Sequence, residues 1–182
     1  MIIVEGADLV GKTTFAKKLV TSLCNNGYHH IYKHLSRLPE KWDYYWSYLS
    51  EFSYSTVQDR FHDSELAYAN ARGDTTFLDH RTYRLLDAWI QSRGTVSIVI
   101  CADESLIRSR FEETGDDMYD IDIILKANEW FIDNRDSFDV AISCDDEKQF
   151  PSDTMAAKIV QNYMQYSDHY RNIVERRPFY AT

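Results

Sequence analysis

"VEGADLVGKTT" occupies residues 4–14, and its spacing governs how the rest of the chain is read. Gly6, Gly11, Lys12 and Thr13 satisfy G-x-x-x-x-G-K-[ST]. Glycines at those places let backbone N–H groups converge on phosphate oxygens, and a helix that follows presents its positive end to them. A lysine after the second glycine neutralises the β and γ phosphates, and the next hydroxyl is a ligand for Mg²⁺. The motif therefore predicts an ATP site built from Gly6, Gly11, Lys12, Thr13 and Thr14, with Thr13 on the metal. A glycine turn that binds nothing is the plainer alternative. The flanks argue against it: an apolar "MIIVE" precedes the motif as a buried strand would, and a helical pattern follows it.

Outward from the motif the period changes repeatedly. Phe15, Leu19 and Leu23 recur every four residues, with Ala16 and Val20 beside them, until "NNG" at 25–27 stops the helix. "HHIYKHL" reads as a strand, 42–52 as an aromatic-rich helix, and "STVQDRF" as a short strand ending in charge. "DSELAYANARG" reads as a helix with Ser64 as its cap and Gly73 as its stop. "HRTYRLLDAWIQSRG" is a further helix with Tyr83, Leu86 and Ile90 on one face. "TVSIVICA" is the clearest β run. Helices follow over "DESLIRSRFEETG" and "YDIDIILKANEWFIDNR", the second with Ile124, Ala127 and Phe131 aligned, and then a strand over "FDVAISC". A closing helix starts near Pro151 with Met155, Ile159 and Tyr163 inward. Short apolar strands alternating with helices mean an α/β fold: three layers, with a parallel five-stranded sheet covered by helices on both faces. Ligands of such sheets collect at the carboxyl ends of the strands.

The 182 residues suit one domain, 1–182. Net charge is −9, which disfavours a nucleic-acid partner unless basic residues cluster; "RNIVERRPFY" at 171–180 is the one stretch that could begin such a track. Cys24, Cys101 and Cys144 lie far apart with no CxxC spacing. They read as buried thiols of a reduced, cytoplasmic protein. No apolar run approaches the roughly 20 residues that span a bilayer, and no secretion leader is apparent. The six histidines show no metal-ligand spacing on a helix, and none is assigned a role.

A cradle names a donor and leaves the acceptor open. No N-K-x-D stretch is present to read a guanine base. "IVICADE" offers Asp103 and Glu104 as the acid of a motor-type ATPase. The more informative stretch is "QDRFHDSELAYANARG", 58–73. With its Asp59-Arg60 pair, Ser64 four positions after the arginine, and then Ala67-Tyr68, it resembles the second motif of the thymidylate kinase family. "EGADLVGKTT" is similar to that family's first motif, including the acid at Asp8. "HLSRLPE" resembles its Arg-Glu-Pro segment through Arg37, and "SLIRSRFEETGDDMYD" resembles its mobile lid, here about 104–120. Short members with a "GDD"-like turn after the lid occur in phages, and this chain is most similar to those.

The resemblance implies a nucleoside monophosphate kinase that moves the ATP γ-phosphate to the 5′-phosphate of a deoxynucleotide, dTMP or a related pyrimidine. It implies that Asp59 organises Mg²⁺ together with Thr13, and that Arg37 and Arg60 clamp the acceptor phosphate. Asp8 would accept a hydrogen bond from the sugar, and Ser64 and Tyr68 would line the base pocket. The P-loop carries Leu9 and Val10 where some members place a catalytic arginine, so Arg108 and Arg110 of the lid would supply it. Apart from the resemblance, the aromatic patch at Trp42, Tyr44, Tyr45, Trp46 and Tyr48 reads first as a packing surface, from which one of Trp42, Tyr45 or Trp46 could stack on the base, and it would allow a homodimer. The chemistry agrees with the residue types, because phosphoryl transfer is positioning plus neutralisation of two anions. Two other readings stay open: a P-loop kinase of a nucleoside or of a hydroxymethylated base in DNA, and a regulatory ATP-binding protein without turnover.

Overall fold

The computed structural model describes residues 1–35, 44–53 (backbone alone for 44–47), 55–74, 78–116, 118–144, 153–154 and 156–162. Five strands form one sheet in the order β2-β3-β1-β4-β5, every pair parallel. They are β1 (Ile2–Glu5), β2 (Ile31–His34), β3 (Thr56–Asp59), β4 (Val96–Ala102) and β5 (Val140–Cys144). Between them run α1 (Lys12–Asn25), α2 (Tyr44–Glu51), α3 (His62–Arg72), α4 (His80–Gln91), α5 (Glu104–Thr114), α6 (Ile121–Asp133) and a 3₁₀ turn at Arg135–Ser137.

β1 sits at the centre, fully buried, and its alternation separates two cores. Ile2 and Val4 face α1 and α6, among Phe15, Leu19 and Phe131. Ile3, with Met1, faces α2 and α4, among Tyr48, Phe61, Leu86 and Ile90. A sheet wet on neither side needs no polar alternation, which is why β4 reads as a nearly continuous apolar run. The expected parallel sheet with helices on both faces is the one observed.

Two local readings need correction, and one cap is added. Ser64 does not cap its helix: α3 starts at His62 after Phe61, with no side-chain cap, and Ser64 lies inside the first turn. Cys24 is exposed, at the solvent side of α1, while Cys101 and Cys144 are buried. The cap of α4, unread in the sequence, is Asp79, which accepts from the Thr82 N–H at 2.8 Å. Gly73 ends α3 in the left-handed conformation, as expected. Of the closing helix, Ile159 is buried as expected, whereas Pro151, Met155 and Tyr163 lie outside the described residues. No helix among the described residues is long and apolar enough to cross a membrane.

The register fixes where chemistry gathers. β1 ends at Glu5 and β3 at Asp59, side by side, with Val4 opposite Asp59. The P-loop leaves one strand and the Asp59-Arg60 pair leaves its neighbour.

Candidate functional site

The P-loop wraps tightly at the end of β1. Gly6 has φ +139° and lies so close to β4 that an added Cβ would strike the Ile100 carbonyl. Only glycine fits there. Gly11 caps α1 with φ 95°, which aims the first N–H groups of α1 into the loop. Leu9 also takes a left-handed conformation, φ 65°. Lys12 is buried, and its ammonium donates to the Ala7 carbonyl and lies 3.8 Å from Asp8. Burial lowers its pKa to about 8, against the pull of Asp59, Glu5 and Asp116.

Asp59 is fully buried and joins the loop directly. Its Oδ2 accepts from Thr13 Oγ1 at 2.6 Å and from the Tyr32 hydroxyl at 2.8 Å, and His34 Nδ1 lies 3.3 Å away. Its Oδ1 is buried without a hydrogen-bond partner. A carboxylate oxygen left over beside a threonine hydroxyl is the donor set a hard cation takes, so Thr13 and Asp59 fit Mg²⁺. Burial and the charge and hydrogen bond of Asp59 push the Tyr32 hydroxyl up to about 12, which keeps it a donor.

Arg60 has φ 68°, an unfavourable conformation for a side chain of its size. It is held by its N–H on Val4 O at 3.0 Å and by an ion pair with Asp8. Its guanidinium lies over the Tyr68 ring, 5.6 Å from the centroid. Tyr68 is itself tied to Asp8: its hydroxyl donates to Oδ2 at 2.5 Å and accepts from the Asp8 N–H at 2.8 Å. Asp8 is thus the hub that sets Arg60 against Lys12. From the far side, Arg110 of α5 donates to the Leu9 carbonyl at 2.6 Å.

These groups share one cleft of about 480 Å³, lined by Asp8, Lys12, Thr13, His34, Arg60 and Arg110 among others. Gly11 and Thr14 line it too; Asp59, Gly6 and Tyr68 support it from behind. Ser64 and Arg108 are not brought there. Ser64, expected against the base, is buried and donates to Glu5 Oε2, a carboxylate that needs the donor. Arg108 is an exposed residue paired with Glu104 one turn earlier, so its charge is held on the outer face of α5. Arg37 and Trp42 fall outside the described residues, as do the side chains of Tyr45 and Trp46. Asp103 and Glu104, the acids weighed for an ATPase, are exposed at the start of α5, while Asp59 is the acid that meets Thr13.

Tyr32 and His34 went unread because they alternate on an ordinary-looking edge strand, and only the register to Asp59 reveals them. Period-two spacing on a strand that ends at the cleft was the available signal.

No family model matches the chain, and no curated protein matches it. Among solved structures it is similar to the YorR protein of Bacillus subtilis, crystallised in complex with phosphorylated GDP. The two share 23% identity and a TM-score of 0.69 over 92% of this chain and 97% of that one. Strand order, P-loop position and this likeness together give the three-layer P-loop kinase fold.

Proposed function

We propose that the chain is an ATP-dependent phosphotransferase that passes the γ-phosphate to the 5′-phosphate of a nucleoside monophosphate, with a pyrimidine deoxynucleotide such as dTMP as the acceptor. One observation carries the reading. Lys12, Arg60 and Arg110 converge on a single cleft whose floor is the Thr13–Asp59 hydrogen bond. Transfer between two polyanions needs convergent cations at both ends, and a cradle alone would need them at one.

Each residue then has a physical task. The loop N–H groups and Lys12 take the donor phosphates. Thr13 and Asp59 would hold Mg²⁺, which would supply positive charge against the donor phosphates. Arg60, pre-aimed by Tyr68 and Asp8, takes the acceptor phosphate in a planar fork. An arriving phosphate competes with Asp8 for Arg60 and frees the Asp8 carboxylate to accept from a sugar hydroxyl. Arg110, anchored on the loop itself, stands where charge crosses from donor to acceptor. Binding of phosphorylated GDP by the similarly folded YorR protein supports a nucleotide ligand and makes purines the necessary comparison.

The test is ADP release from ATP and Mg²⁺ in the presence of each nucleoside monophosphate, ribo and deoxy, each free nucleoside, and duplex DNA. Stimulation by dTMP above the other monophosphates is the expected result. Stimulation by a purine monophosphate alone would correct the base. Stimulation by nucleosides or DNA alone, or by nothing, would remove the reading.

A further inference from the structure

Where α3 begins, three carboxylates lie around one imidazole, and none of the four residues lines the P-loop cleft. His62 is 2% exposed. Its ring is wedged among Phe61, Tyr48 and Tyr83, at centroid distances of 5.5, 6.3 and 5.2 Å. Its Nε2 lies 3.6 Å from Asp87 Oδ1 and 3.9 Å from Asp63 Oδ2. Both are too long for hydrogen bonds, and neither ring nitrogen has a hydrogen-bond partner. Glu5 completes the group: one ligand atom from each of Glu5, His62 and Asp63 falls within 4.8 Å of the others.

Each carboxylate is oriented by neutral donors, and Glu5 is held on both oxygens, with Ser64 donating to Oε2. Tyr83 donates to Asp63 Oδ1 at 2.7 Å, Gln91 to Asp87 Oδ2 at 2.9 Å, and Phe61 N–H to Glu5 Oε1 at 2.8 Å. No lysine or arginine among the described residues forms an ion pair with these three acids. Two buried acids, Glu5 and Asp63, with no lysine or arginine in ion-pair contact, beside a buried imidazole with no hydrogen-bond partner, are a costly arrangement. His62, Asp63, Tyr83, Asp87 and Gln91 line a cavity of about 420 Å³, which gives an ion a way in.

We propose that His62 Nε2, Asp63 and Glu5, with Asp87 at the cavity side, bind a divalent transition-metal ion of the zinc type. Imidazole mixed with carboxylates selects such ions over Mg²⁺ or Ca²⁺, which take oxygen alone. Bonds of about 2.0–2.1 Å to a tetrahedral ion place ligand atoms roughly 3.3 Å apart. The observed 3.6 and 3.9 Å close to that by small side-chain movements. Tyr83 and Gln91 are the outer partners that such ligands require. The ion would join α3 to α4 and β1, and so fix the helix that starts just after Asp59 and Arg60.

The full-length chain, stripped of metal by a chelator, is titrated with Co²⁺ and then with Zn²⁺ in the absence of nucleotide. One equivalent of Co²⁺ with a ligand-field absorption band, displaced by Zn²⁺, is expected. His62→Gln should abolish the band, and Asp87→Asn should weaken Zn²⁺ binding about tenfold or more. Asp87 is partly exposed, so Asp87→Asn retains the fold and tests the site even in the event that His62→Gln is destabilised. Asp59→Asn should leave the band in place. Absence of the band, its persistence in His62→Gln, equal affinity in Asp87→Asn, or its loss in Asp59→Asn alone would each overturn the site. None of these readings depends on phosphate transfer, so the two proposals fail separately.

Discussion

Carboxylates gather at two places in this molecule, and the company they keep differs. In the P-loop cleft, Asp8 is matched by Lys12 and Arg60, and Asp59 is sated on one oxygen by Thr13 and Tyr32. At the cavity beside α4, Asp63 and Asp87, with Glu5 close by, meet a single imidazole and no ion-paired lysine or arginine among the described residues. The first arrangement carries surplus cations held by anions that a stronger anion displaces. The second carries surplus anions, which a proton or a metal must balance. Buried charge that is over-supplied with one sign is a statement about what the site meets, and the two sites are written with opposite signs only one helix start apart.

Removing the cleft's central cation is the harshest way to break the contrast. Lys12→Ala should cut kcat/KM for transfer on the order of 10³-fold, the scale set by loss of one pre-aimed cation in phosphoryl transfer. Steady-state ADP release measures it, and a loss below tenfold would mean that Lys12 serves only to hold the Ala7 carbonyl. Asp59→Asn comes next. It keeps the shape and one acceptor for Thr13 but removes the charge, so kcat should fall roughly 10²-fold while ATP affinity changes little. Equal losses in both would place Asp59 in loop architecture rather than in transfer.

Arg110→Ala probes the far wall. A charge-assisted hydrogen bond to the Leu9 carbonyl is worth about 1.5–3 kcal/mol, so a fall of at least about tenfold in kcat is expected if the guanidinium serves the reaction too. A drop in thermal stability with kcat intact would assign it to bracing the loop alone.

The cleft was largely legible in the sequence and the cavity was not. Gly6, Gly11, Lys12 and Thr13 announce themselves because close backbone approach and left-handed φ restrict which residues fit. Asp59 and Arg60 stood out through their resemblance to a known motif. Ser64 misled because a serine three residues into a helix and a serine that caps one look alike in sequence, and burial under Glu5 decided between them. Tyr32 and His34 share a strand face by period-two spacing, but only the register to β3 sets them beside Asp59, and Glu5 and His62 meet through contacts between α3, α4 and β1 that no local spacing encodes. Arg108 and Arg110 are two residues apart, so on a helix they point to different sides, and only packing tells which side is the cleft.

Glu5 sharpens the contrast through pH. Burial, then the charge of Asp63, raises its pKa from an ordinary 4.5 to about 7. Folding therefore favours the protonated form. Its contribution to stability is complete below 4.5 and is lost as pH rises towards 7. His62, also raised, acts in the same direction above its ordinary 6.5. Denaturation midpoints of the wild type should fall across this window relative to Glu5→Gln, whose profile should be flatter. Saturating Zn²⁺ should reverse the sign, because a metal takes deprotonated ligands. A wild-type profile parallel to that of Glu5→Gln would mean that the acids are screened by water and the cavity holds no uncompensated charge.

The smallest effect is the most discriminating for the cleft. Arg108 and Glu104 are 46% and 65% exposed at their side chains, and exposed pairs of this kind contribute between nothing and about 1 kcal/mol. Arg108→Ala should leave kcat within about twofold of wild type and shift the denaturation midpoint barely at all. The same substitution at position 110 should not be silent. If instead Arg108→Ala loses activity and Arg110→Ala keeps it, then α5 must turn during the reaction and bring its outer arginine inward. The cation wall of the cleft would then be assembled by motion, and the comparison between a pre-charged cleft and an uncompensated cavity would hold for the resting fold alone.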